Sequence, residues 1–215
     1  MLKISLLIIW MILSISAQGQ IKEEKMKNVL VIGASGSLAK FVIDTLQNVK
    51  DVHLTLLLRD KSRIANDTTD CTVVQADVMD YEKLSKAVAG QDIVYINLAG
   101  DLEAMSRNIV KAMKETGVKR VIAISSIGIY NTPLKPVLVP YRKLADVIEG
   151  SGLEYTILRP DWFTYADEID YAITKKGQPE TGTAVSRKSI AAFIASIVQN
   201  PDLHKNENLG ISKPN

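Results

Sequence analysis

Residues 29–40 read VLVIGASGSLAK. The apolar run Val29–Ile32 stops at Gly33, and small residues recur at Gly36 and Ala39. A strand that is apolar on both faces belongs inside a parallel sheet covered on both sides. Gly33 can leave the strand with positive φ, Gly36 lets backbone come close to a phosphate, and Ala39 lets the next helix pack near the strand. Free N–H groups and the dipole at the helix start then favour an anion. A glycine pattern alone is weak. Here it follows a strand and opens a helix, which is the context that supports a phosphate-binding turn. The competing reading is a tight connection with no ligand.

Outward from this turn, short apolar strands alternate with amphipathic helices. Strands are expected at 29–32, 52–58, 71–75, 93–98, 121–125 and 155–158. Helices are expected at 37–48, 81–89 (closed by Gly90), 102–116 (closed by Gly117), 141–149 and 189–199. The alternation predicts an α/β fold, a doubly wound parallel sheet of Rossmann-like type, in a single domain over 26–215. Residues 128–140 and 160–187 read as irregular. They follow the fifth and sixth strands, so they are expected at the carboxyl edge of the sheet as substrate loops.

The 215 residues are 47% apolar and 23% charged, as in ordinary globular proteins. With 26 basic and 24 acidic residues, no basic field argues for nucleic acid as a partner. The single cysteine, Cys71, excludes an internal disulfide and a cysteine-based zinc site. His53 and His204 are far apart in sequence, so no metal centre is expected. Residues 1–19 have the layout of a secretory signal: Lys3, an apolar core from Ile4 to Ile15, then Ala17 and Gly19. The core is too short for a stable membrane span, which takes ~20 apolar residues. Met26, just before the first strand, offers a second reading. Translation from Met26 implies a cytoplasmic protein, and a working leader (at most through residue 25) implies an exported one.

The second strand ends in LLLRD. An acid at this strand end binds ribose hydroxyls in NAD-specific proteins of the fold. Arg59 holds about that place, which suits the 2′-phosphate of NADP(H). Asp60 leaves NAD(H) open, and Lys61 and Arg63 follow. Asp77 and Val78, in QADVMD, follow the third strand and could contact the adenine. The alternative for Asp77 is a helix N-cap, a role that Asp80 fits better.

These segments resemble an atypical short-chain dehydrogenase/reductase of the NAD(P)H-binding, NmrA-like kind, over roughly residues 27–212. Biliverdin/flavin reductase-like members share the general plan. The resemblance rests on VLVIGASGSLAK, Arg59, QADVMD, DIVYINLAG, VKRVIAISSIGIY, SGLEYTILRPDWF and TAVSRKSIA. It implies that Gly33, Ser35, Gly36, Ser37 and Leu38 form the pyrophosphate loop. Leu98, Ala99 and Gly100 would pass the cofactor ribose. Ser125 and Ser126 would face the nicotinamide, and Arg159 and Pro160 would border it.

One departure stands out. Classical members pair a tyrosine with a lysine four residues on, which lowers the phenol pKa. Tyr141 is followed at that spacing by Ala145, and Tyr130 by Leu134. Lys143 is two residues from Tyr141, a spacing that points to a different helix face. Ser126 and Tyr141 are the candidate catalytic groups, and Tyr130, Tyr165 and Tyr171 are candidate pocket groups. The segment DWFTYADEIDY (161–171) reads as a substrate lid or a homodimer contact. The expected function is an NADP(H)-dependent oxidoreductase that passes hydride to a small quinone, flavin or carbonyl acceptor. The alternative is a non-catalytic NADP(H) redox sensor of the NmrA type. Epimerase-like chemistry on a nucleotide sugar ranks last.

Overall fold

The computed structural model describes residues 26–215; the leader-like segment lies outside the described residues. Six strands match the expected alternation: β1 (Lys27–Ile32), β2 (Val52–Leu58), β3 (Cys71–Gln75), β4 (Ile93–Ile96), β5 (Arg120–Ile124) and β6 (Glu154–Pro160). Between them run α1 (Ser37–Gln47), α2 (Tyr81–Val88), α3 (Leu102–Thr116) and α4 (Val139–Glu149). Later come two short strands, β7 (Phe163–Thr164) and β8 (Ala172–Lys175), then β9 (Val185–Ser186), α5 (Arg187–Gln199) and β10 (Glu207–Ser212).

The main sheet has eight strands in the order β3-β2-β1-β4-β5-β6-β10-β8. All neighbours are parallel except β8, which runs antiparallel to β10. β7 and β9 form a separate parallel pair. The chain leaves β1 toward β2 on one side and returns to β4 on the other. This is the topological switch point, where such sheets open a crevice at their carboxyl ends.

β1 shows how one strand serves two cores. Val29 and Val31 join α1 and α5 on one face, while Leu30 and Ile32 join α2, α3 and α4 on the other. Successive side chains of a strand point to opposite faces, so a continuous apolar run is what a two-sided sheet needs. The helix ends follow ordinary chemistry. Asp80 accepts a bond from Lys83 N and caps α2; Asp101 accepts from Ala104 N and caps α3; Gly117 ends α3 in the left-handed region. Ser186 caps α5, whose start at Arg187 is two residues before the expected one.

A strand beyond the six expected ones, β10, follows α5. β10 (ENLGIS) packs Leu209 and Ile211 into the core but buries Asn208 and Ser212 on its other face, so its apolar signal is only two residues. Residues 160–187 are also more regular than expected, since β7, β8 and β9 lie within them or at their end. β7 and β9 are two residues each and are held by pairing rather than by local pattern.

Arg120 attaches this last segment to the sheet. The residue is buried, and its guanidinium donates to the carbonyls of Pro201, Val121, Glu154 and Leu203 and to Thr156 Oγ1, at 2.7–3.2 Å. Burial pushes its pKa down to about 10. Replacing Arg120 by alanine removes the donors from several buried acceptors, each costing about 1–3 kcal/mol when left unpaired. Arg120→Ala is expected to lose at least about 3 kcal/mol in urea unfolding, with Arg120→Lys intermediate.

Candidate functional site

The turn between β1 and α1 is shaped by backbone on all sides. Gly33 has φ +86°, and a Cβ there would overlap the carbonyl oxygen of Asn97 at the end of β4. Its N–H donates to Leu57 O at 3.0 Å, so the turn is tied to β2 as well. Gly36 differs. Its φ of −73° and ψ of 150° suit any residue. The space above it is what is restricted, because a Cβ would lie 2.8 Å from Asn97 Nδ2 and 3.3 Å from Gly33 O. Ala39 is fully buried against the sheet.

α1 starts at this turn without a side-chain cap, and no acid occupies its first turn. Among the described residues, the N–H groups of Ser35, Ser37, Leu38 and Ala39 have no acceptor within the protein. A helix N-terminus normally satisfies its leading donors with caps, water or ligand. Here the donors, the dipole and the glycine cradle converge at the switch point, and the residues fit a dinucleotide phosphate.

A cleft extends from this turn. Gly33, Ser35, Gly36, Ser37 and Leu38 form one wall, and Leu98 and Ala99 another. At the β2 end lie Arg59 and Arg63, and at the β3 end Asp77 and Val78. Tyr141, Met105, Asn97 and Phe163 complete the lining. Val78 is buried, and Asp77 closes a local turn by accepting from Met79 N at 2.8 Å. Asp60 does not face the cleft lining: its carboxylate accepts from Ser62 N at 3.0 Å and Ser62 Oγ at 2.7 Å. Those bonds hold its pKa below the usual carboxylate range.

The other expected site residues lie outside this lining. Gly100 has φ +115° and turns the chain into α3. Ser125 is buried and donates to Tyr141 O at 3.0 Å, so it fixes the start of α4. Ser126 Oγ donates to Ile127 O at 3.2 Å. Pro160 ends β6, and its carbonyl accepts from Ile127 N at 3.0 Å. Arg159 is 1% exposed and turned into a polar network. It bonds Glu180 Oε1 at 2.7 Å and Asn208 O at 3.1 Å. Glu180 in turn accepts from Gly128 N at 3.0 Å.

Tyr130 belongs to the same network. Its hydroxyl accepts from Asn208 Nδ2 at 2.7 Å, and its ring is faced by Arg142, Arg159 and Lys176. Burial is the leading cause that raises its pKa. This arrangement joins the 128–131 loop, β10 and the segment after β8, and accounts for Tyr130 without a catalytic role. Tyr171 packs edge-on against Phe193 at 5.6 Å and belongs to the core. Tyr165 is exposed.

Around Tyr141 no lysine is supplied by α4. Lys143 pairs with Glu103 at 2.6 Å on the outer surface, and Ala145 is fully buried. The cleft therefore presents a tyrosine without the cation that would lower its pKa from the usual helical spacing. A second groove, between α3 and α4, is lined by charges that pair with one another, such as Arg107 and Lys143 with Glu103.

The lining also contains Asn97, Arg63, Met105 and Phe163, which are not among the expected site residues. Arg63 was visible as part of the charge run. It sits four residues past Arg59, as the last residue of the 3-10 turn Lys61–Arg63 that Asp60 caps. Phe163 falls in the segment 161–171 expected as a lid or dimer contact, Asn97 sits beside the expected Leu98, and Met105, within α3, has no local signal.

A family model described as NAD(P)H-binding matches residues 33–201, and the chain belongs to that family. A Rossmann-fold NAD(P)-binding family protein from Shigella flexneri is 46% identical, with a TM-score of 0.80 over 88% of this chain and 94% of that one. A short-chain dehydrogenase/reductase from Veillonella parvula, solved in complex with NADP, is 27% identical, with a TM-score of 0.79 over 87% and 95%. An isoflavone reductase homologue from Nicotiana tabacum, A622-like, is 29% identical over 74% of this chain and 54% of its own length. The chain thus spans about half the length of the isoflavone reductase homologues it matches. These relatives are consistent with the atypical, NmrA-like short-chain dehydrogenase/reductase class.

The two glycines should respond differently to substitution. Gly33→Ala, strained at φ +86° and blocked by backbone, is expected to lose at least about 2 kcal/mol of stability. Gly36→Val keeps an allowed backbone but crowds the cradle. It is expected to retain the fold while weakening NADPH binding at least ~10-fold, by thermal unfolding and calorimetric titration.

Proposed function

We propose that the protein is an NADP(H)-dependent oxidoreductase acting on a small organic acceptor that needs little acid catalysis, such as a flavin or quinone. The observation that carries the cofactor choice is at the end of β2. Arg59 and Arg63 both line the cleft, while Asp60, the acid next to Arg59, lies outside that lining and turns Oδ1 to Ser62. Two guanidinium groups at the end of β2, with the Asp60 carboxylate outside the lining, suit a 2′-phosphate. The NADP complex of the Veillonella relative supports the same reading.

When bound, the nicotinamide supplies the hydride. The chain's own part is to hold the phosphates on the amides of Ser35, Ser37 and Leu38, and the adenosine end against Arg59, Arg63, Asp77 and Val78. Leu98, Ala99 and Phe163 exclude water along the cleft. Tyr141 lines the cleft with no lysine at the usual helical spacing, where Ala145 stands. An acceptor that takes its proton from solvent fits this site better than an unactivated ketone. The sensor reading draws on the other hydroxyls, since Ser125 and Ser126 donate to main-chain carbonyls. In that reading cofactor binding itself is the output.

NADPH is expected to bind more tightly than NADH, and Arg59→Ala with Arg63→Ala to erase the difference. Unchanged selectivity in the double variant would remove the arginines from that role. NADPH oxidation is expected with flavins or quinones rather than simple aldehydes, with Tyr141→Phe lowering kcat less than ~10-fold. Tight NADPH binding without turnover on any acceptor would favour the sensor.

A further inference from the structure

Arg187 opens α5, and its side chain reaches across to the phosphate loop. Its Nη2 lies 3.4 Å from Ser37 Oγ, and its Nη1 donates to Thr164 O at 3.1 Å. The guanidinium carbon sits 4.0 Å from the centre of the Tyr165 ring and 5.3 Å from that of Phe163. The residue is 8% exposed, and its Nε is buried without a hydrogen-bond partner. Among the described residues, no carboxylate lies within ion-pair distance of it.

A buried guanidinium with no counter-charge and an unused donor is unfavourable. The other buried arginines avoid this: Arg159 has Glu180, and Arg120 donates through all three nitrogens. The group that Arg187 faces is the hydroxyl of Ser37, in the loop whose amides lack acceptors. An anion on that loop would meet both needs.

We propose that Arg187 is a cofactor-positioning residue, which supplies the counter-charge to the pyrophosphate on the glycine loop and ties the aromatic strap around 162–165 to the bound cofactor. The strap connection runs through Thr164 O and the rings of Phe163, which lines the cleft, and Tyr165. The proposal rests on the dinucleotide reading above and adds to it a residue from the far end of the chain.

Calorimetric titration of the wild type, Arg187→Gln and Arg187→Lys with NADPH, NADH and adenosine 2′-monophosphate tests it. Arg187→Gln is expected to weaken NADPH and NADH by the same factor, about 10- to 100-fold. Its affinity for adenosine 2′-monophosphate, which has no pyrophosphate, should be unchanged. Arg187→Lys should recover part of the loss. Unchanged dinucleotide affinity in Arg187→Gln, with the wild type binding, would overturn the proposal alone. Parallel loss of adenosine 2′-monophosphate binding would also overturn it, by assigning Arg187 to the fold. A wild type that binds no dinucleotide would remove the functional reading and the proposal together. For the strap, NADP+ is expected to change tryptophan emission in the wild type, but neither in Trp162→Phe nor in Arg187→Gln. A response that persists in Arg187→Gln under saturating NADP+ would overturn the coupling.

Discussion

The contact between Gly33 and the Asn97 carbonyl holds the site together. It brings the β1–α1 turn against the end of β4, closer than any side chain would allow. Because β1 and β4 diverge in connection at this point, their carboxyl ends leave a crevice. The close approach aims the start of α1 into that crevice rather than over it. The orphan amides of α1, the ring of Phe163 and the arginines after β2 can then share one cleft. Gly36 is a second, softer constraint, since its neighbour is the end of the Asn97 side chain.

A different kind of bond organises the far half of the carboxyl edge. Arg159, Glu180, Asn208, Tyr130, Glu149 and Lys176 form a linked polar group beneath the loops. Every member has partners, as a buried polar group requires. It joins the loop after β5 to β10 and to the chain between β8 and β9. The loops that flank an acceptor site therefore stand on a common base. This also explains how residues that resemble a nicotinamide border can have structural duties: Arg159 sits inside that base, beneath the loops.

Much of the architecture was legible locally. Strands β2 and β3 and helix α3 have the bounds expected from their apolar runs and caps, because a two-sided strand and an amphipathic helix each carry their own periodicity. β10 was not legible. It places Asn208, Gly210 and Ser212 in the sheet, and only pairing with β6 and the arginine networks makes those residues strand-like. The cleft was partly legible for a similar reason. Gly33 to Leu38 and Arg59 lie at element junctions that a sequence can show. Arg63 needed the turn that Asp60 caps, and Phe163 and Arg187 needed the strap and α5 to fold back over α1.

The amino-acid order alone determined an α/β alternation, a glycine turn at the first strand–helix junction and an arginine one strand later. These are local consequences of periodicity, of the missing Cβ at Gly33 and of chain direction in a parallel sheet. It also determined that the lysine partner of Tyr141 is missing, since helical spacing puts Ala145 in that place. Only the tertiary structure decided which polar groups remain available to a ligand. Asp60 is taken by Ser62 and Arg159 by Glu180, while Arg187 arrives at Ser37 with a donor unused. Each of these partners is chosen by proximity in space, which the order of residues along the chain does not state.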